Sequence, residues 1–172
     1  VKKIQIDWQQ LEKNCTKLAL DILKSGFNPD YIVGINRGGL TPAVMLSHML
    51  DVPMHTLKVT LRDGAEEDCD HNLWMSEDAV GYGSMGCLEN EPAKILIVDD
   101  INDTGATYAW IKQDWRSTCL PNLKEWDTVF GSNVRFAVLV NNLSSKETAD
   151  YSAMEINKAE DPSWIVFPWE KE

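Results

Sequence analysis

A chain of 172 residues with 44% hydrophobic side chains has the length and apolar content for one domain with a true core. Its 16 basic and 27 acidic side chains leave a net charge of −11, which argues against nucleic acid as a main partner, because phosphate contacts need Lys and Arg. No apolar run approaches the roughly 18 residues of a membrane helix, so no membrane partner is expected. Cys15, Cys69, Cys87 and Cys119 form no CxxC pair, and the first residues lack a secretory apolar core. The thiols therefore read as reduced and the chain as cytoplasmic.

Asp7 caps a first helix, in which Trp8, Leu11, Cys15, Leu18, Ala19, Ile22 and Leu23 follow helical spacing until Gly26 stops it. The apolar run from Tyr31 to Ile35 predicts a first central strand. Thr41 and Pro42 then read as cap and first residue of a helix ending near Leu50. Pro53 to Thr60 predicts a second strand. Residues 61–92 carry no clean period but hold Asp63, Glu66, Glu67, Asp68, Asp70, Glu77 and Asp78 with Gly81, Gly83 and Gly86. A loop of that length is uncommon unless it has a function or is disordered. Within it Cys69 and His71 are close enough to be two metal ligands, but no matching pair occurs elsewhere, and no metal site is expected from them. Ile95 to Val98 predicts a third strand, about Gly105 to Thr118 a helix, and Val134 to Val140 a further strand. The Trp-rich tail from Tyr151 to Trp169 reads as irregular. Alternating strands and helices predict an α/β fold, with a central parallel sheet flanked by helices on both faces. Ligands of such sheets bind beyond the C-terminal ends of the strands.

Two turns fall at strand C-termini. The run Ile95-Leu96-Ile97-Val98-Asp99-Asp100-Ile101-Asn102-Asp103-Thr104-Gly105-Ala106-Thr107 ends a buried strand in two adjacent carboxylates, adds a third, and opens a helix at a hydroxyl-rich turn. Backbone N–H groups and hydroxyls at a helix start suit an anion. The carboxylates upstream suit sugar hydroxyls and Mg²⁺. A ligand with ribose, phosphate and metal fits all three parts. The earlier turn, Gly34-Ile35-Asn36-Arg37-Gly38-Gly39, offers close backbone approach and a forked cation for phosphate oxygens.

The longer run resembles the phosphoribosyl-pyrophosphate (PRPP) signature of the type I phosphoribosyltransferases, and every position of that pattern is met. The Arg37 turn resembles the family's pyrophosphate loop. The tail Trp164-Ile165-Val166-Phe167-Pro168-Trp169 is similar to the Trp-Ile-x-x-Pro-Trp of xanthine–guanine phosphoribosyltransferases. The resemblance implies a Mg²⁺-dependent transfer of 5-phosphoribose from PRPP to a purine base, with pyrophosphate released, in nucleotide salvage. It implies that Asp99 and Asp100 hold the ribose hydroxyls and the metal. The 5′-phosphate would lie against Asp103, Thr104, Gly105, Ala106 and Thr107, and pyrophosphate against Arg37, Gly38 and Gly39. Asp103 becomes the catalytic proton acceptor, Trp164 the stacking face, and Ile165 a backbone reader of the base. It further implies a cis peptide at or beside Asn36–Arg37, a mobile loop over about 61–92, a small irregular hood from about 150–172 over the strand ends, and a homo-oligomer, dimer or tetramer. Trp110, Trp115 and Trp126 could serve that interface or the core.

One position departs from the family pattern. Where 6-oxopurine enzymes carry a Lys that donates to O6, this chain has Asn141, beside Asn142. An Asn amide can donate to an oxo group or accept from an amino group. Lys146 is a second candidate, at the wrong spacing. The base therefore stays open between guanine, xanthine, hypoxanthine and others. Another base, or a PRPP-sensing regulator of the same fold, are the competing readings.

Overall fold

A computed structural model describes residues 1–61, 69–83 and 85–170. In chain order the elements are β1 (Lys2–Gln5), α1 (Trp8–Ser25), β2 (Tyr31–Asn36), α2 (Leu40–Leu50), β3 (Met54–Lys58), α3 (Leu73–Val80), β4 (Ile95–Asn102), α4 (Ala106–Thr118), α5 (Trp126–Val129), β5 (Val134–Asn142), β6 (Tyr151–Ile156) and β7 (Ser163–Val166). Five strands form one parallel sheet in the order β3-β2-β4-β5-β6. From β2 the chain first moves outward to β3 and then returns to the other side as β4. The β2/β4 boundary is thus the switch point, where such sheets open a crevice.

Strand alternation divides the core into two layers. Tyr31, Val33, Ile35, Ile95 and Ile97 pack with Met75 of α3, Ile111 and Trp115 of α4, and Trp126 of α5. Ile32, Leu96 and Val98 face the other way, onto Leu11, Leu18 and Ile22 of α1 and Leu46 of α2. Both faces of β2 and β4 are buried, which is why these strands read as unbroken apolar runs rather than alternating ones. Asp7 caps α1 through a 2.7 Å bond from Gln10 N–H, and Gly26 ends it at φ 77°.

Three segments differ from the sequence reading. The stretch 61–92 contains α3, whose cap Asn72 accepts from Met75 N–H at 2.9 Å and whose end is Gly81 at φ 77°. Its two turns are too short for a periodic pattern to rise above the acids Glu77 and Asp78. The acidic residues Asp63, Glu66, Glu67 and Asp68 of the expected loop lie outside the described residues. The tail is not irregular. β6 closes the main sheet, and β7 pairs in parallel with β1 as a separate two-stranded sheet, Ile4 opposite Ile165. β1 was not expected, because four residues, mostly polar and exposed, carry no burial pattern. Finally, α2 starts at Leu40 after the N-cap Gly39, so Thr41 and Pro42 sit inside its first turn. Pro costs nothing there, since first-turn N–H groups have no helical partner.

Trp115 and Trp126 are core residues, 0% and 3% exposed, and Trp110 is partly buried against the same layer. Neither Trp115 nor Trp126 is therefore available to an interface. Among the described residues no helix is long and apolar enough to cross a membrane.

Candidate active site

The two turns singled out by sequence meet at the switch point. β2 delivers Arg37, Gly38 and Gly39, and the Asn36–Arg37 peptide is cis, at the expected place. A Cβ on Gly38 would run into the carboxylate of Asp100. A Cβ on Gly39 would run into the carbonyl of Val98 and lie 2.8 Å from that of Ile35, both in the central strands. Only glycine lets this turn lie flat on the end of β4. Gly39→Ala is expected to destabilise the fold by about 1–3 kcal/mol, the cost of overpacking against backbone that cannot move. A chemical denaturation midpoint unchanged by the substitution would contradict that packing. Arg37 is exposed, and among the described residues no carboxylate pairs with its guanidinium.

Asp99 and Asp100 end the buried part of β4. Asp99 is 7% exposed, and its Oδ1 accepts from Asp100 N–H at 2.9 Å. Asp100 accepts from Ile101 N–H at 2.8 Å. Burial holds the Asp99 carboxyl well above the usual carboxylate range, and the adjacent charge of Asp100 adds to the effect. Asp100 is raised too, again by burial, with Glu170 contributing. Among the described residues no Lys or Arg is within ion-pair distance of either. A buried acid beside a half-buried one, without a cation, is an arrangement that a bound cation would relieve.

Thr104 to Thr107 turn the chain into α4. Gly105 is the N-cap, at φ 89°, and has no side chain to satisfy the helix's first N–H groups. Ala106 N–H donates to Thr104 Oγ1 at 3.3 Å, and the next N–H groups are donors at the positive end of a 13-residue helix. The loop after β5 fixes this turn from outside. Lys146 N–H donates to the Thr104 carbonyl at 3.2 Å, and a Cβ on Gly105 would lie 2.8 Å from Glu147 N. Lys146 thus meets the turn through its backbone, while its side chain is exposed.

Asp103, Trp164 and the end of β5 come together. Asp103 Oδ2 accepts from Lys158 Nζ at 2.9 Å, and Lys158 Nζ lies 5.9 Å from the ring centre of Trp164. Asn142 Nδ2 donates to the Asp103 carbonyl at 2.9 Å. Asn141 is buried, and its Oδ1 accepts from Asn102 Nδ2 at 2.9 Å. Asn102 Oδ1 in turn accepts from Ser145 Oγ at 3.1 Å, which fixes the direction of the chain of amides. Asn141 keeps its Nδ2 donors and one lone pair of Oδ1. Trp164 is 53% exposed, a large aromatic face turned to solvent. The Val166 carbonyl accepts from Ile6 N–H, so strand alternation turns the Ile165 carbonyl to the opposite, open edge of β7.

Sequence reasoning missed Lys158 altogether. The available signal was a lone cation six positions before Trp164 in a stretch otherwise carrying Glu155, Glu160 and Asp161. Cys69 and His71 do not join a metal centre: His71 Nδ1 pairs with Asp114 at 2.5 Å, and no cluster of three or more metal-ligating side chains occurs among the described residues. A cavity lined by Ser25, Phe27, Lys94, Asn133 and Arg135 opens at the opposite ends of the strands and includes none of the motif residues.

An acid pair, the turn into α4 and a cationic glycine turn meet at the switch point of a parallel sheet. A family model for the phosphoribosyl transferase domain matches residues 5–172, and the chain belongs to that family. Xanthine-guanine phosphoribosyltransferases from Nitratidesulfovibrio vulgaris and Desulfotalea psychrophila are 24% and 26% identical to it, over 99% and 97% of this chain and 86% of each relative. The crystal structure of a purine phosphoribosyltransferase from Pyrococcus horikoshii matches with a TM-score of 0.69 at 26% identity, over 100% of this chain and 97% of the other.

Proposed function

We infer that this phosphoribosyltransferase transfers 5-phosphoribose from PRPP to a 6-oxopurine, guanine, xanthine or hypoxanthine, and works in cytoplasmic nucleotide salvage. A ring nitrogen of the base bonds to the anomeric carbon, the bond to pyrophosphate breaks with its electron pair leaving on pyrophosphate, and the nitrogen's proton passes to Asp103. Arg37 and the N–H groups of Gly38 and Gly39 hold the leaving pyrophosphate. Asp99 and Asp100 hold the ribose hydroxyls, and the start of α4 from Thr104 to Thr107 holds the 5′-phosphate. The observation that carries the reading is the seat of Gly38 on Asp100, which sets the pyrophosphate turn directly against the ribose end of β4.

Mg²⁺ fits the acid pair. The donors are carboxylate oxygens, one group buried and the other half-buried with no cation opposite, and Mg²⁺ takes one or two such ligands and completes its shell with substrate oxygens and water. When bound it neutralises charge on the phosphate oxygens. Trp164 stacks on the base and the Ile165 carbonyl accepts from an exocyclic amine. Asn141, whose Oδ1 accepts from Asn102, can still both donate and accept, so the oxopurine reading leans on the xanthine-guanine relatives rather than on this amide. α1 and α2 expose Leu20, Leu23, Val44 and Met49, apolar area that suits a dimer or tetramer.

The same network limits what can replace Asn141. Asn141→Lys strips the acceptor from Asn102 Nδ2 and is expected to cost about 1–3 kcal/mol, the penalty of a broken buried hydrogen bond. An unchanged thermal midpoint would mean that the amide chain does not hold this end of the sheet.

The deciding experiment is pyrophosphate release from PRPP and Mg²⁺ with guanine, xanthine, hypoxanthine, adenine, uracil and orotate. Release with an oxopurine supports the reading. Release with adenine or a pyrimidine alone keeps the transferase and overturns the base. PRPP binding without release from any base points to a sensor.

A further inference from the structure

We propose that Lys158, on the connection between β6 and β7, determines specificity by admitting bases that present an oxo group to its ammonium and refusing those that present an amino group. The proposal rests on the phosphoribosyl-transfer reading above. Its ground is the convergence of three side chains. The Lys158 ammonium is 2.9 Å from Asp103 and 5.9 Å from the centre of the exposed Trp164 ring.

This placement is built. Lys158 N–H donates to Asn142 Oδ1 at 3.0 Å, and Asn142 Nδ2 donates to the Asp103 carbonyl at 2.9 Å. One buried side chain, 6% exposed, therefore holds both ends of the Lys158–Asp103 pair. The ammonium also passes over nearer acids. Glu160 and Asp161 are neighbours in sequence, yet Lys158 pairs with a carboxylate 55 positions away. Asp161 is taken by Lys2 at 3.0 Å. A surface charge seeking a counter-ion would have used the nearer groups.

The chemistry follows from the donor inventory. An ammonium has three donors and no acceptor. One is spent on Asp103. A base that reaches the Trp164 face brings its edge against the other two. An oxo oxygen there gains a charge-assisted hydrogen bond. An amino group meets donors with donors and loses the water it shed on entry. A base lacking an acceptor at that edge is refused by unpaired polar groups rather than by shape.

The test compares hypoxanthine with adenine, which present an oxo and an amino group at the same ring carbon. Pyrophosphate release is measured for wild type, Lys158→Met and Lys158→Gln, with the affinity for Mg²⁺–PRPP as a control and a thermal melt for folding. Wild type is expected to prefer hypoxanthine. Lys158→Met should lose about 10- to 100-fold in kcat/KM for hypoxanthine, the worth of one hydrogen bond to a charged group. Adenine should lose less than hypoxanthine, since it forfeits only the hold of Lys158 on Asp103, and PRPP affinity should change little. Lys158→Gln, which adds an acceptor, should shift the ratio toward adenine. A fall in both bases alike, or an unchanged ratio in both variants, overturns the proposal and leaves Lys158 a structural ion pair. Wild type that prefers adenine overturns it while the transferase stands. No release from wild type with any base overturns the reading beneath it, and this proposal with it.

Discussion

Asp103→Ala is expected to lower turnover by about 100- to 10,000-fold, the range lost when a positioned proton acceptor is removed. The affinity for Mg²⁺–PRPP should stay close to wild type, because the pyrophosphate turn and the acid pair are made by other residues. kcat and kcat/KM for the base should then fall together, the mark of an interaction made in the transition state. Alanine also leaves the Lys158 ammonium without its 2.9 Å partner. Asp103→Asn separates the two effects: it keeps a carbonyl oxygen for Lys158 but cannot take the proton. If the two variants are equally slow, proton transfer is the lost function. If Asn restores the rate, Asp103 acts by holding Lys158. Pyrophosphate release under single-turnover conditions, with PRPP affinity by calorimetry, distinguishes the cases.

Asp99→Asn with Asp100→Asn is expected to cost about 100-fold or more in kcat/KM, since metal and ribose both lose their carboxylates. The same double variant should be more stable than wild type at neutral pH without ligand. The sign comes from the raised carboxyls. An acid whose folded pKa lies above its unfolded value binds more protons folded than unfolded. Stability therefore falls as pH rises from about 3.9, the unfolded value, through the folded one, and the loss is complete above it. Asn carries no such charge. Its advantage should grow as pH rises through the folded value and vanish as pH drops toward the unfolded value. Thermal melts of both proteins across that window, with and without Mg²⁺ and PRPP, make the check. A wild type more stable than the variant at neutral pH without ligand would mean that the acids are already compensated.

The proposed phosphate side of the site can be read from sequence because its parts are contiguous. Residues 95–107 hold strand, acid pair, third acid and anion turn in one run, and only the β2/β4 switch point was needed to bring Arg37 to it. The base side is assembled from four separate stretches, around Asn102, Asn142, Lys158 and Trp164. No periodicity links an Asn at the end of a strand to a Lys on a distant connection, and Lys158 stayed hidden for that reason. α3 was missed because two helical turns with acids on the outer face resemble a solvated loop. Its cap pair, Asn72 and Gly81, was the readable signal. In the tail, Tyr151, Ala153, Ile165 and Phe167 face the core layer of α1. That packing belongs to the tertiary fold, and a run rich in Trp and Pro shows no regular pattern before it forms.

The parallel pairing of Lys2–Gln5 with Ser163–Val166 sets an order of assembly. Local contacts form early and those between distant stretches form late, because the loop between them must first be closed. The strands that carry Arg37, Asp99 and Thr104 pair within the five-stranded sheet and do not depend on this contact. Trp164 gains its strand only when Ser163–Val166 has found Lys2–Gln5. Trimming either strand of that pair would free the Trp164 ring from its strand while leaving the five-stranded sheet its own ladder.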